Sequence, residues 1–303
     1  MCTWKDDMLL PESISKKLEE KRKSNPLYHV SKVLSMGSLF TEGHHFYCNE
    51  EHPLLNEAIK MVLSRIEEVY QDINADILVL RDFEIENKWN DLLLNQGFVK
   101  IDMPETCSII NNTWSNIENF ANKLSPRSRK HFNKEILPFE PSFDIQIKNY
   151  LPDLELHKTY ELYKNVKDNN LAINTFTYPL NVFKKMNNYD SWEFIVLYLK
   201  ANEFATPEMV GIVYGYKNSN KTYVPTLIGM NYAYVKELNL YRQILFQIIK
   251  RANTLGFLKI DFGVSATFEK RKLGAEITSK IAYIQAKDNY SFEALSSLQN
   301  EVK

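Results

Sequence analysis

Glycine is the residue that most limits what this chain can become. Nine occur in 303 residues, at 37, 43, 97, 211, 215, 229, 256, 263 and 274, where the typical ~7% frequency would give roughly 20. No two stand one residue apart, so the sequence has neither a G-x-G-x-x-G fingerprint nor a Walker A loop. Both need closely spaced glycines to bring backbone amides against phosphate. The chain therefore reads as neither a dinucleotide-dependent oxidoreductase nor a P-loop NTPase. Thirty-seven basic residues balance 38 acidic ones, so no global field recruits nucleic acid or an anionic membrane, and any anion site must be local.

The uncharged runs, such as Thr222 to Val235, are too short for a membrane span of roughly 20 apolar residues. The opening Met1-Cys-Thr-Trp-Lys-Asp-Asp7 lacks the basic-then-apolar order of a secretion signal. Cys2, Cys48 and Cys107 are isolated thiols without C-x-x-C spacing, which fits a reducing compartment. A cytoplasmic protein is expected.

Residues 1–30 are polar and read as a leader of loose or short helical structure. Apolar residues at 54, 55, 58, 59, 62, 63, 66, 69 and 70 have helical spacing and give way to Asp76-Ile-Leu-Val-Leu-Arg81, a buried-strand pattern. A helix over 87–95 should stop at Gly97, followed by an extended Phe98-Val-Lys-Ile101. Ser125-Pro126 resembles an N-cap and first-turn proline, dividing the helical stretch 116–136. Phe143 to Ile147 alternates like a strand, and the proline-bounded region 138–152 is the expected lobe boundary. Helices are expected over 154–166 and 180–186, then strands over 194–199, 209–216 and 222–234 with the look of an antiparallel meander. The strongest amphipathic helix runs from Tyr241 to Ala252 and ends at Leu255-Gly256. A strand over 258–262, a helix over 266–273 and a strand over 277–285 complete the chain. Strand 77–80, helix 87–95 and Gly97 match in kind strand 259–262, helix 266–273 and Gly274. Two copies of one unit are expected: an N-terminal lobe over 31–150 and a C-terminal lobe over 151–303, each an α/β (α+β) arrangement of a mixed, mostly antiparallel sheet flanked by helices.

This order, with Ile228-Gly-Met-Asn-Tyr232, Glu237-Leu-Asn-Leu-Tyr-Arg-Gln243, Lys250-Arg-Ala252, Gly256, Gly263 and Glu269-Lys-Arg-Lys-Leu-Gly-Ala275, resembles the tandem-GNAT group that includes the BioF2-like and Fem-type acyl and aminoacyl transferases. Arg81-Asp-Phe83, Gln96-Gly-Phe98, Trp114 and the run Leu124 to His131 resemble its first lobe, so the likeness covers roughly residues 35–290. It implies transfer of an acyl group from an acyl-CoA or carrier-protein thioester to an amine, with a small-molecule or lipid-like acceptor and no metal. The alternatives are a Fem-type aminoacyl-tRNA-dependent transferase and a non-catalytic binding module. Where the group ordinarily carries glycines against the coenzyme A pyrophosphate, this chain has Val235-Lys-Glu-Leu-Asn-Leu-Tyr-Arg242, with no glycine. A helix N-terminus there still offers free amides, and Lys236, Asn239 and Arg242 could supply side-chain donors.

Acyl transfer needs a neutral amine, donors for the oxyanion and a proton for the leaving thiolate. By the resemblance these gather where the strands ending near Asn231-Tyr232 and Asp261-Phe262 separate. Gly229-Met230 could mark a bulge exposing an amide to the carbonyl oxygen, or be plain strand. Asp261 could act as base or orient the amine, or pair with Lys259 or Arg271. Tyr241 could protonate the thiolate, or serve the core. Asn231 joins these as a catalytic candidate, and Met230, Lys270 and Arg271 as donor-binding candidates. Arg127, Arg129, Lys130, His131 and Lys134 form the densest basic cluster, suited to a nucleotide, tRNA or anionic head group, or to a solvated helix face. His44, His45 and His52 lack a completing metal-ligand spacing, and Ser265 lacks a nucleophile elbow.

Overall fold

A computed structural model of the chain describes residues 2–37, 45, 47–49, 51–200 and 207–287. Two compact units emerge: Met1–Pro104 with Leu171–Phe176 and Ser279–Lys303, and Glu105–Asn170 with Thr177–Thr278. The division falls inside two long strands rather than in the proline-bounded 138–152 region, which lies within the second unit. The prolines there shape a 3₁₀ turn over Leu137–Ser142 and the entry to the next helix.

The first unit contains β1 (Cys2–Lys5), α1 (Glu12–Arg22), β2 (Val30–Met36), α2 (Leu55–Asp72), β3 (Ile77–Glu84), α3 (Asn90–Asn95) and the start of β4 (Val99–Ile110). Its sheet runs β1-β2-β3-β10, where β10 is Glu276–Ala286. β2 and β3 are parallel, from Val33↔Ile77 to Met36↔Leu80, and the flanking pairs are antiparallel. Alternation explains the layers: Leu78 and Leu80 face Ile59, Tyr70, Trp89 and Leu93, while Ile77 and Val79 join Val33, Ala282 and Ile284 on the other face.

The first thirty residues are built into this unit rather than forming a leader. Arg22 is 5% exposed and places one guanidinium nitrogen 2.5 Å from Asp7, itself fully buried, and another 2.6 Å from Glu19. Lys5 Nζ donates to Glu19 at 2.9 Å and to Asn174 at 3.2 Å, and Asn174 Nδ2 donates to both Asp7 and Glu19 at 2.8 Å. Burial alone would raise the Glu19 carboxyl, but its bonds from Lys5, Asn174 and Arg22 outweigh this and hold it at about 2.

The second unit continues with β4 and adds α4 (Ile117–Lys123), α5 (Pro126–Glu135), β5 (Phe143–Lys148), α6 (Asp153–Asn169), α7 (Leu180–Met186), β6 (Trp192–Leu199), β7 (Met209–Asn218), β8 (Thr222–Met230), α8 (Ala233–Glu237), α9 (Leu240–Thr254), β9 (Lys259–Val264) and α10 (Thr267–Lys272). Its sheet runs β4-β9-β8-β7-β6-β5, antiparallel except for β8 with β9. α9 covers one face through Leu240, Ile244, Leu245, Ile248 and Ala252. Gly97, Gly256 and Gly274 end α3, α9 and α10 at φ of +85°, +73° and +92°, the left-handed geometry that glycine adopts without a Cβ penalty.

The internal repeat reaches the detail of a bulge. In the first unit Leu80 faces Tyr283 and Phe83 faces Ile281, so Arg81 and Asp82 oppose the single Ala282. In the second, Asp261 faces Ser108 and Val264 faces Thr106, so Phe262 and Gly263 oppose the single Cys107. The bulged residues Asp82 and Gly263 have φ of +69° and +62°.

Candidate functional site

The second unit opens where its one parallel pair ends. β8 and β9 share only Thr222↔Lys259 and Tyr223↔Ile260, and beyond these both strands continue without pairing to each other. β8 is bent by a bulge at Thr226, since Tyr214 faces Leu227 and Gly215 faces Pro225. The expected bulge at Gly229 is absent; Gly229 pairs regularly with Ile212. What the position demands is closeness to α6, because a Cβ there would stand 2.5 Å from the Tyr163 amide nitrogen and 2.6 Å from the Leu162 carbonyl carbon. Neither backbone atom can rotate away. Gly229→Ala should therefore cost about 1–3 kcal/mol in urea unfolding, and a loss below about 0.5 kcal/mol would show that α6 can retreat.

On the β9 side, Asp261 is buried and its Oδ1 accepts the Gly263 amide at 2.9 Å, bracing the bulge. Lys270, buried on α10, donates to the Phe262 carbonyl at 2.9 Å and the Val264 carbonyl at 2.7 Å. Its ammonium thus ties α10 to the bulge. Ser265 and Ala266 follow at φ of +69° and +48°, two successive non-glycine residues in a conformation that stores strain.

Tyr241, in the first turn of α9, packs against the core. Burial pushes its phenol up, and the nearby Glu269, Cys107 and Tyr232 add to the shift, so the hydroxyl keeps its proton at neutral pH. It makes no hydrogen bond among the described residues. Burial likewise raises the Cys107 thiol, with Lys270, Glu105, Arg271 and Asp261 as its charged neighbours. Cys107 lies on β4 opposite the Phe262–Gly263 bulge. It carried no signal in the sequence, being a lone thiol in a strand.

The remaining candidates separate. Asn231 Nδ2 donates to Glu208 at 3.3 Å and its Oδ1 accepts the Ala233 amide at 3.1 Å, shaping the turn after β8. Met230 is buried at the strand end, and its carbonyl accepts Asn165 Nδ2 at 3.4 Å. Lys236 and Arg271 are exposed. Asn239 is buried at φ +52° and its Oδ1 accepts from Arg242 Nη1. Arg242 Nε donates to Glu269 Oε2 at 2.8 Å and Nη2 to Oε1 at 3.4 Å.

The basic cluster divides by helical phase. On α5, capped by Ser125, the side chains of Arg127, Lys130 and Lys134 are exposed, Arg129 turns back toward the Asn122 and Leu124 carbonyls, and His131 points inward. His44 lies outside the described residues, His45 Nε2 is 2.8 Å from Asp82, and His52 Nδ1 accepts the Leu54 amide. Among the described residues no three metal-ligating side chains converge, and no helix is long and apolar enough to cross a membrane.

No known family's sequence profile matches the chain, and no curated protein is significantly similar to it. Solved structures do resemble it. FemX matches with a TM-score of 0.59 at 12% identity, over 88% of this chain and 83% of that one. L-PGS from Bacillus licheniformis matches with a TM-score of 0.52 at 11% identity, over 80% and 77%. The chain shares the fold of FemX.

Proposed function

We propose that the chain is a transferase that moves an acyl group from a thioester to an amine, with the donor held in the second unit where β8 and β9 separate. The observation that carries this reading is the short β8–β9 pairing, which stops at Tyr223↔Ile260 and is followed on β9 by a bulge braced by Asp261 and on α9 by a Tyr241 whose hydroxyl makes no hydrogen bond among the described residues. The amine lone pair attacks the thioester carbonyl, the carbon–sulfur bond breaks with its electrons on sulfur, and the Tyr241 phenol protonates the leaving thiolate. Asp261 orients the amine and accepts its proton, and that proton returns by way of solvent to the Tyr241 phenolate. The product is an amide and a free thiol.

A second reading keeps the same site with an aminoacyl-tRNA ester as donor. It is favoured by Arg127, Lys130 and Lys134, which share one exposed face of α5 and form no ion pair among the described residues.

A thioester at 100 times its Kd should add about 2.7 kcal/mol of stability, so a thermal-shift panel of acyl thioesters should raise the melting temperature for at least one chain length. A response to tRNA alone, weakening steeply with salt, would select the second reading. No shift with either would leave a non-catalytic module.

A further inference from the structure

Three elements of the second unit direct cationic or imidazole groups at one carboxylate. Arg242 from α9 holds Glu269 through two nitrogens, Lys272 Nζ lies 3.3 Å from Oε1, and His131 Nε2 from α5 lies 3.8 Å from Oε2. The Lys272 ammonium is also fixed from behind by the Phe268 ring, 4.1 Å away. His131 Nε2 is buried with no hydrogen-bond partner, so the cluster has a nitrogen to spare. The convergence of a guanidinium fork, an ammonium and a ring nitrogen is the set that recognises phosphate oxygens. Here it is filled by a side chain of the chain itself.

We propose that Glu269 is the resident anion of an anion-binding site formed by Arg242, Lys272 and His131, and that while seated it bars phosphate-bearing ligands from that site. The cluster is reachable from solvent at its edge, Arg242 and Glu269 keeping 26% and 22% of their side-chain surface exposed, so a soluble anion can compete for it. A phosphate would bring a second negative charge against Glu269 and would have to displace it from a bidentate partner. Glu269 carries its charge throughout the neutral range, because Arg242 and Lys272 outweigh the burial that would raise its carboxyl. Its helix, α10, enters through the strained Ser265 and Ala266. One consequence rests on the transferase reading: the donor gains nothing from a diphosphate, and a pantetheine thioester lacking one should serve as well as the matching coenzyme A thioester.

The test is calorimetric titration of inorganic pyrophosphate into the full chain, as wild type, E269Q and E269A. Both variants should bind at least tenfold more tightly than wild type, with affinity falling as salt rises, and R242Q added to E269A should abolish the gain. E269Q preserves the side-chain shape, so a folding failure of E269A leaves the comparison intact. Equal or tighter binding by wild type, or no gain in the variants, would overturn the proposal. In parallel, wild type should use pantetheine and coenzyme A thioesters within threefold of each other, and E269Q should shift toward coenzyme A by tenfold or more. If pyrophosphate behaves as expected while no thioester is used, the anion site stands and the transferase reading fails. If thioesters are used and pyrophosphate binding is unchanged by the variants, the reverse holds.

Discussion

Tyr241→Phe should lower turnover by about 10²–10⁴-fold, the range associated with loss of a positioned general acid, while leaving the melting temperature within about 1 °C of wild type. The two halves of this expectation have separate causes. The ring is packed against the core and is retained by phenylalanine, and the hydroxyl it loses makes no hydrogen bond among the described residues. Stability therefore has little to lose. Turnover does under the proposed reading, because this hydroxyl is the proton source assigned to the leaving thiolate; burial, Glu269, Cys107 and Tyr232 keep it protonated, at the expense of its acid strength. The pH profile follows in sign. A phenol raised above its ordinary value stays a donor through the alkaline range, while the acceptor must lose a proton to become nucleophilic, so wild-type rates should rise with pH and show no downturn below about pH 10. Full activity in Tyr241→Phe, or a downturn near pH 8, would remove Tyr241 from the chemistry.

Arg22→Ala should destabilise the first unit by about 3–5 kcal/mol, the cost of removing one partner of a buried ion pair. Asp7 would be left fully buried with its carboxylate facing the vacated space, keeping the Asn174 amide at 2.8 Å. The backbone carbonyl of Tyr28, 2.9 Å from the guanidinium, would lose its donor as well, and that of His29, also at 2.9 Å, would keep only the Asp6 amide at 3.0 Å. Urea unfolding followed by tryptophan fluorescence reads the loss directly. Acidity gives an independent check. Glu19 has a folded pKa of about 2 against an ordinary 4.5, so its contribution is complete above pH 4.5 and disappears as pH falls toward 2. The variant, lacking one of the groups that depress Glu19, should lose less stability over that interval than wild type. A loss under about 1 kcal/mol at neutral pH would mean the network is loosely solvated and replaceable.

Much of the fold was legible because local rules decided it. α7 occupies the expected 180–186, α5 begins at the expected Ser125-Pro126, and Gly97, Gly256 and Gly274 end helices as their positions implied. What was not legible depended on partners distant in sequence. The charged run from Lys16 to Lys23 looks like a solvated helix until Asp7 and Asn174 are placed beside it, 15 residues before and 152 after Arg22. The unit boundary was obscured in the same way, because β4 and β10 are continuous strands with nothing in their sequence to mark Pro104 or Thr278. At the site, Lys270-Arg-Lys272 reads as one basic run, yet successive residues on a helix point about 100° apart. Lys270 faces the bulge, Arg271 faces solvent and Lys272 faces Glu269. Glu269 has no distinguishing signal in its local sequence, because its partner Arg242 lies 27 positions earlier.

The scarcity of glycine acquires a structural counterpart in that pair. The turn before α9 has no glycine with which to let a diphosphate approach the backbone, and the arginine beside it is already held by Glu269. The measurement that tests the central claim most directly is single-turnover transfer of a labelled acyl group from pantetheine thioesters to a panel of primary amines, with wild type and Tyr241→Phe side by side. Labelled amide should form with wild type and fall by at least a hundredfold in the variant at unchanged melting temperature. Absence of amide with every donor and acceptor, or equal yields from the two proteins, would contradict it.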